Sequence, residues 1–595
     1  MEQWFNRLVT TATTKSAAAR QRVRLKASAN GSRFPTQLGF MDWFAVASRT
    51  RHCFRAEQGT GWHGPDQACQ SGVARGFSPQ SKISGHPTKI VSTKSECWIR
   101  FAWRLDEEKS KVRFATLSPL PDNRSKKHIK RAMNRIMKLR NKLPFAAIIL
   151  LAGSVAASSA AAPARKPNIL LILADDLGHE TINSYGGTSY RTPNIDALAK
   201  SGTRFSQAFS TPLCSPSRVE LMTGRYGFRT RWINLIGRGP AEEVNEYFDP
   251  KKETTFAQVL KQAGYATAIA GKWQLCEFQK HPRHPAECGF DESLCWAWVV
   301  DGKQTSRYWA PVLWKNGQLK KMPADKYGDD LFSDFLIAFM KAHKDEPFFA
   351  YYPMALVHGP HIAPPGSPGA AAAQSAAMEG KKGRGKNAKK PGSPAAGADD
   401  DLINDPANFP DMVAYMDHLV AKLVAAVDQL GLRNDTLIIF TGDNGTDRKI
   451  TSMMGDMVVP GGKATVTELG AHVPLIASWP GKTPAGKVNQ DLVNFCDFLP
   501  TLAELAGAQL PRGTKIDGQS FAPQLFGKKG TPREWVFTQL GHKRFARDHR
   551  FLLHDDGRIY DIPNDLLEKN DLAASEKPDV VEAKKRLQAV LDQCQ

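Results

Sequence analysis

NILLILADD, residues 168–176, carries six unbroken apolar residues and then halts on two aspartates. A strand wet on one face would alternate; an unbroken run suits a strand buried on both faces, as in a parallel sheet. The chain beyond it repeats the theme. The helix-like NIDALAKSG follows, then TTFAQVLKQAG (254–264) ahead of the strand YATAIAGKW (265–273). DDLFSDFLIAFMKAH (329–343) reads as a helix leading into PFFAYYPMALVH (347–358). In FPDMVAYMDHLVAKLVAAVDQLG (409–431), Met412, Met416, Leu419, Leu423, Val427 and Leu430 recur every three or four residues, the spacing of one helix face. It precedes the strand TLIIFTGDNG (436–445), and VPLIASWPG (473–481) is another. This alternation predicts an α/β fold, a mostly parallel central sheet sandwiched by helices, with ligand sites beyond the carboxyl ends of its strands. EWVFTQL, RFLLHDDG and RIYDI near the end predict a smaller antiparallel sheet. The expected domains are therefore 165–505 and a C-terminal subdomain over 506–595. Residues 365–400, rich in Ala, Gly, Lys and Pro and without an aromatic or β-branched residue, are expected to be a disordered insertion.

The chain has 595 residues and a formal net charge of +21. Residues 1–150 hold 28 Lys+Arg against 9 Asp+Glu, a net of +19; the other 445 hold 52 against 50, a net of +2. The folded body is nearly neutral, so the basic balance says little about its partner, and no nucleic-acid partner is expected. Residues 1–132 show no sustained helical or strand period. From Met133, Lys138, Arg140 and Lys142 precede an apolar run from Leu143 to Ala157 and a tail of small residues. That is the form of a secretory signal peptide over 133–164, too short for a comfortable membrane span. Its position predicts translation from Met133 or Met137, with 1–132 an over-extended gene model; the other reading is a disordered basic leader before an internal anchor helix. Export to the periplasm or the medium is expected, without stable membrane insertion. Six cysteines follow the signal: Cys214, Cys276, Cys288, Cys295, Cys496 and Cys594. An oxidising compartment permits disulfides, and the spacing fixes no pairing.

The strand ends collect chemistry. Asp175 and Asp176 close the first strand; Asp443 and Asn444 close TLIIFTGDN. Together they form a hard all-oxygen set suited to Ca²⁺ or Mg²⁺ rather than zinc. Arg218, Lys272 in AGKW and Lys463 in PGGKATVTELG supply cations; converging beside a divalent ion, they would hold a sulfate or phosphate. His358 and His361 in HGPH, just after a strand, are candidate proton donors. Taken singly, each of these has a plain structural reading: a helix cap, a turn, a solvated charge, a structural hydrogen bond.

The stretch that joins them is PLCSPSRVELMTG (212–224). CSPSR followed by VELMTG resembles the defining motif of the type I sulfatases, arylsulfatase-like members of the alkaline phosphatase superfamily, whose cysteine is oxidised after translation to formylglycine. ILADD, GYATAIAGKW, HGPH, TGDNG and GGKATVTELG stand in that family's order, and GRIYDIPNDLLEKNDLA resembles its ending, so the resemblance spans about 167–595. It implies an alkaline-phosphatase-like fold and a calcium ion held by Asp175, Asp176, Asp443, Asn444 and the modified Cys214. It implies a mechanism as well. One hydroxyl of the hydrated aldehyde attacks sulfur, the ester oxygen leaves, and the second hydroxyl then expels sulfate. Arg218, Lys272 and Lys463 would steady the anion, His361 and Lys463 would assist the leaving oxygen, and His358 would take a secondary role. The implied partners are a sulfated small molecule or glycan and, transiently, a formylglycine-generating enzyme that reads Pro216 and Arg218 in an accessible segment.

One position departs. Where the family has histidine after GKW, associated with proton removal from the hydrate, this chain has Gln274. An amide hydrogen-bonds a hydroxyl but does not carry its proton away. The leading expectation is an exported calcium-dependent sulfatase acting on a carbohydrate or aryl sulfate. The alternatives are a phosphodiester or phosphonate monoester hydrolase on the same fold, and a non-catalytic binder of sulfated glycans. Trp296, Trp298, Trp309 and Trp314 fit either a sugar platform or the core.

Overall fold

The computed structural model describes residues 166–379 and 404–595; the expected leader and signal segment lie outside them. Ten strands form the main sheet: β1 (Asn168–Ala174), β2 (Thr203–Phe209), β3 (Ala266–Gly271), β4 (Glu292–Trp296), β5 (Val312–Lys315), β6 (Gln318–Lys321), β7 (Phe348–Pro353), β8 (Thr436–Gly442), β9 (His472–Ser478) and β10 (Lys487–Asn494). Their order is β10-β2-β9-β8-β1-β7-β3-β4-β5-β6. The middle five, β8-β1-β7-β3-β4, are mutually parallel. β9 pairs antiparallel with β8 and β2 on one flank, and β5 and β6 extend the other antiparallel. The α/β expectation holds, with antiparallel flanks added.

β1 explains its own composition. Every residue of it is buried; Ile169, Leu171 and Leu173 enter one core, while Leu170, Ile172 and Ala174 enter the core on the opposite face. Helices α1 (Pro193–Ser201) and α4 (Gly328–Ala342) cover the second of these faces. Helices α2 (Cys214–Thr223) and α3 (Phe256–Gln262) cover the first. Past α5 (Ala370–Glu379), helix α6 (Phe409–Gln429) joins the α1 and α4 layer, burying Met412, Met416, Leu419, Leu423 and Val427; α7 (Phe498–Ala506) joins α2 and α3. Four further strands, β11 (Val536–Leu540), β12 (Lys543–Arg547), β13 (Phe551–His554) and β14 (Ile559–Asp561), make an antiparallel meander. Helix α8 (Pro578–Gln593) packs Val580, Leu587 and Leu591 against it.

One expectation needs correction. The first part of 365–400 is not structureless: α5 lies there, with Ala373 buried, because an alanine-rich run pays little entropy to become helical; residues 380–403 fall outside the description. Trp296, Trp309 and Trp314 are core residues, and half-buried Trp298 donates its Nε1–H to the Cys276 carbonyl. The three core tryptophans are no sugar platform. All six cysteines named above are buried and unpaired. No helix among the described residues is long and apolar enough to cross a membrane.

Candidate active site

The four neighbouring parallel strands β8, β1, β7 and β3 end at one edge, and each hands over a functional side chain. Ala174 and Gly442 are register partners, so Asp175–Asp176 and Asp443–Asn444 emerge side by side. The loop after β7 carries His358 and His361, and the residues after β3 are Lys272 and Gln274. Gly271 sets the exit from β3: at φ +134° its Cα lies so near Pro353 that a Cβ would stand 1.9 Å from the carbonyl oxygen. That close approach lets Lys272 N–H donate to the same oxygen at 2.7 Å and aims the lysine inward.

Cys214 is the first residue of α2, and no side chain caps that helix. Its amino-terminal N–H groups and dipole are therefore left for an anion. The segment bearing Lys463 is tied in from two sides, Lys463 N–H donating to Thr446 O and Ala464 N–H to Pro212 O (2.9 and 2.8 Å). Asp176, Gln274 and Ala464 all hold left-handed backbone (φ 60°, 52° and 60°), three of eight non-glycine residues so placed among those described. Backbone strain of this kind persists where surrounding structure over-determines it, and it gathers at functional sites.

The side chains interlock. Lys272 Nζ donates to Asp175 Oδ1 at 2.9 Å, and Arg218 Nη2 to Asp443 Oδ2 at 2.7 Å, with Asp175 Oδ1 3.5 Å away. Asp443 Oδ1 accepts from Asp176 N–H, and Asn444 Nδ2 donates to Asp176 Oδ1, both at 2.9 Å. Lys463 pairs with Asp176 and lies 2.9 Å from His358 Nε2. Cys214 Sγ sits 3.6 Å from Gln274 Oε1. Three carboxylates thus face three cations, all nearly buried. Burial raises the Asp443 carboxyl to about 7, aided by Asp175 and opposed by Arg218; burial likewise raises Asp176. For Asp175 the burial penalty is outweighed by Lys272, His358, Arg218 and Lys463, which hold it below the usual range. Burial, with Lys463 and Lys272, lowers His358 well below the ordinary histidine value, against the pull of Asp175. Burial also lowers His361 and raises the Cys214 thiol.

The oxygens suit a hard divalent ion. Asp175, Asp176 and His358 offer ligand atoms within 4.8 Å of one another, and Asn444 Oδ1 is buried without a hydrogen-bond partner among the described residues. A buried amide oxygen with no hydrogen-bond partner beside a carboxylate cluster is a donor set that fits a hard cation. Every residue expected at the site is accordingly at this edge; His361 lines the adjoining cleft with His358. One expectation fails: Cys214 is not accessible in the folded chain, being 2 % exposed.

The sequence reading missed residues that belong to no motif. Arg307, 4.0 Å above the Trp296 ring, places Nη1 3.0 Å from His358 Nδ1. Thr446 Oγ1 accepts from Gly178 N–H and fixes the turn after Asp176. Arg307 had no local signal; Thr446 and Asp447 lie just beyond TGDNG, where polar residues read as turn filler.

Comparison with known proteins agrees with this geometry. A family model described as Sulfatase matches residues 167–508, and one described as N-sulphoglucosamine sulphohydrolase, C-terminal, matches 462–594. The chain is 33% identical to human arylsulfatase A over 413 residues, covering 64% of this chain and 72% of that protein. It is 26% identical to an N-acetylgalactosamine-6-O-sulfatase of Bacteroides thetaiotaomicron over 538 residues, 76% and 98% of the two chains. A solved structure bound to k-i-k-neocarrahexaose shares 28% identity with a TM-score of 0.57, covering 72% of this chain and 92% of the other.

Proposed function

This chain belongs to the sulfatase family and is a sulfuric ester hydrolase; on that premise we propose that it is exported and works through a formylglycine hydrate made from Cys214, with calcium at Asp175, Asp176, Asp443 and Asn444. The observation that carries the reading is the place of Cys214, first in the uncapped helix α2, 3.6 Å from Gln274 Oε1 and within electrostatic reach of Lys272, Asp175, Asp443 and Lys463 at the strand ends. A divalent ion there supplies charge that lowers the cost of ionising a hydroxyl and neutralises sulfate oxygens. The formylglycine hydrate supplies the nucleophile. The rest falls to the chain's own side chains. Lys272 and Lys463 hold sulfate oxygens, and Arg218 orients Asp443 and Asp175 while adding positive charge. His361, with no partner on either ring nitrogen among the described residues, is placed for the leaving oxygen. Gln274 hydrogen-bonds the hydroxyl at position 214 and holds it in line.

The test has two parts on protein from a host that carries the converting enzyme. The proteolytic peptide containing Cys214 is expected to be lighter than its thiol form and to react with a hydrazide. Removal of divalent ions is expected to lower both sulfate release from para-nitrophenyl sulfate and the melting temperature, and calcium to restore both. A plain thiol at Cys214 in active protein would end the formylglycine reading.

A further inference from the structure

Beside the reaction centre lies a cleft of about 270 Å³. At ~30 Å³ per water that is room for roughly nine waters, the scale of one sugar ring. Seven of its nine lining residues are polar or charged. His361 enters with its backbone pinned: its N–H donates to Asn404 Oδ1 at 2.8 Å, and its carbonyl accepts from Asp405 N–H and Asn408 Nδ2, both at 3.0 Å. Its ring is left over, buried and without a hydrogen bond on either nitrogen among the described residues. Asp447 approaches from the β8 side. Its Oδ1 closes a turn on Lys449 N–H at 2.9 Å. Its Oδ2 faces Gly359: a Cβ there would stand 3.6 Å from Asp447 Oδ2, and 3.6 and 3.7 Å from His361 Cε1 and Nε2. The glycine thus keeps open a gap where a carboxylate acceptor and an unpartnered imidazole converge on one point.

We propose that this gap reads the alcohol part of the ester and that Asp447 is its specificity-determining residue. Asp447 accepts a hydrogen bond from an uncharged donor, a hydroxyl or an amide N–H, on a sugar next to its sulfated carbon. The inference rests on the sulfuric ester hydrolase reading and narrows its substrate to a hydroxyl-rich sugar sulfate. The chemistry discriminates twice over. A carboxylate acceptor makes a stronger hydrogen bond than a neutral one, and it repels a second anionic substituent held at the same point. An aryl leaving group brings no donor, so Asp447 Oδ2 gains no hydrogen bond from it and the half-buried carboxylate loses water without a replacement. Asp447 touches the sugar and not the reacting atoms, so it moves the preference between esters more than it moves the chemistry.

The experiment compares kcat/KM for para-nitrophenyl sulfate with that for galactose monosulfates carrying the ester on each hydroxyl in turn. It uses full-length, formylglycine-bearing protein, wild type and Asp447→Asn. The amide keeps an oxygen for Lys449 N–H, so the turn survives, and an unchanged melting temperature verifies it. Wild type is expected to favour a sugar ester, and Asp447→Asn to lower the sugar-to-aryl ratio of kcat/KM at least about tenfold, mainly through KM for the sugar. An unchanged ratio, or a wild type that prefers the aryl ester to every sugar ester, overturns the assignment while leaving the hydrolase intact. Release of sulfate from no ester at all overturns the hydrolase reading and this inference with it.

Discussion

Gln274 and Cys214 meet at 3.6 Å, and on the reading proposed above the amide holds the hydroxyl made at position 214 without taking its proton. Histidine tolerates the left-handed backbone of position 274 (φ 52°) at least as well as glutamine and adds a titratable nitrogen. Gln274→His is therefore expected to keep or raise kcat at neutral pH; a loss beyond about tenfold would show that the amide has a positive role of its own. Cys214→Ala should cut sulfate release at least about a thousandfold, with the far-UV circular dichroism unchanged. A third residue shapes stability rather than rate. Burial lifts the Asp329 carboxyl from 3.8 to about 7, even though Ala355 N–H and Tyr352 O–H donate to its Oδ1. Between those pH values the folded chain keeps a proton that the unfolded chain has lost. Stability therefore falls as pH rises through this window and stays reduced above it. Asp329→Asn has no such proton, so its melting temperature should exceed that of wild type at pH 8 and vary less between pH 4 and 7. A steeper dependence in the variant would refute the assignment.

At the scale of elements, the site is a set of strand ends, and the close approach of β3 to Pro353 is its tightest joint. Gly271→Ala forces both a Cβ into the Pro353 carbonyl and a left-handed alanine, so Lys272 should be displaced. Urea unfolding is expected to show a loss of about 1–3 kcal/mol, and the KM for sulfate esters should rise. β1, β7, β8 and β9 were legible because burial on both faces writes itself as an unbroken apolar run, and α6 because one buried face writes a period of three to four. β2 and β10 were not: TRFSQAF alternates irregularly between buried and half-buried positions, and three of the first four residues of β10 are exposed. Nothing local distinguishes such strands from loops, since partners distant in sequence impose their pairing. The site divides likewise. Motif residues announced themselves in chain order, whereas Arg307 and Asp447 reach the loop after β7 only because the fold carries them there.

Across the whole molecule, the α/β body and the C-terminal meander are joined by a buried ion pair. Arg533, on the approach to β11, donates from Nε to Asp497 Oδ1 and Oδ2 at 2.8 and 2.7 Å, just ahead of α7. Asp497 also accepts from Asn494 and Gln519 N–H, which hold it in its buried place when the arginine is removed. Arg533→Ala should destabilise the protein by about 3–5 kcal/mol, read as an earlier urea midpoint. The folded chain also buries Cys214 at the start of α2, where it is 2 % exposed. On the reading proposed above, that burial sets a deadline. An enzyme that must grip the CSPSR segment has to act while the nascent chain is still open, and a copy that folds first is locked as a thiol for its lifetime. Refolded, unmodified protein should resist conversion under native conditions and accept it after unfolding, so the fraction of active molecules in a preparation records a race between modification and folding.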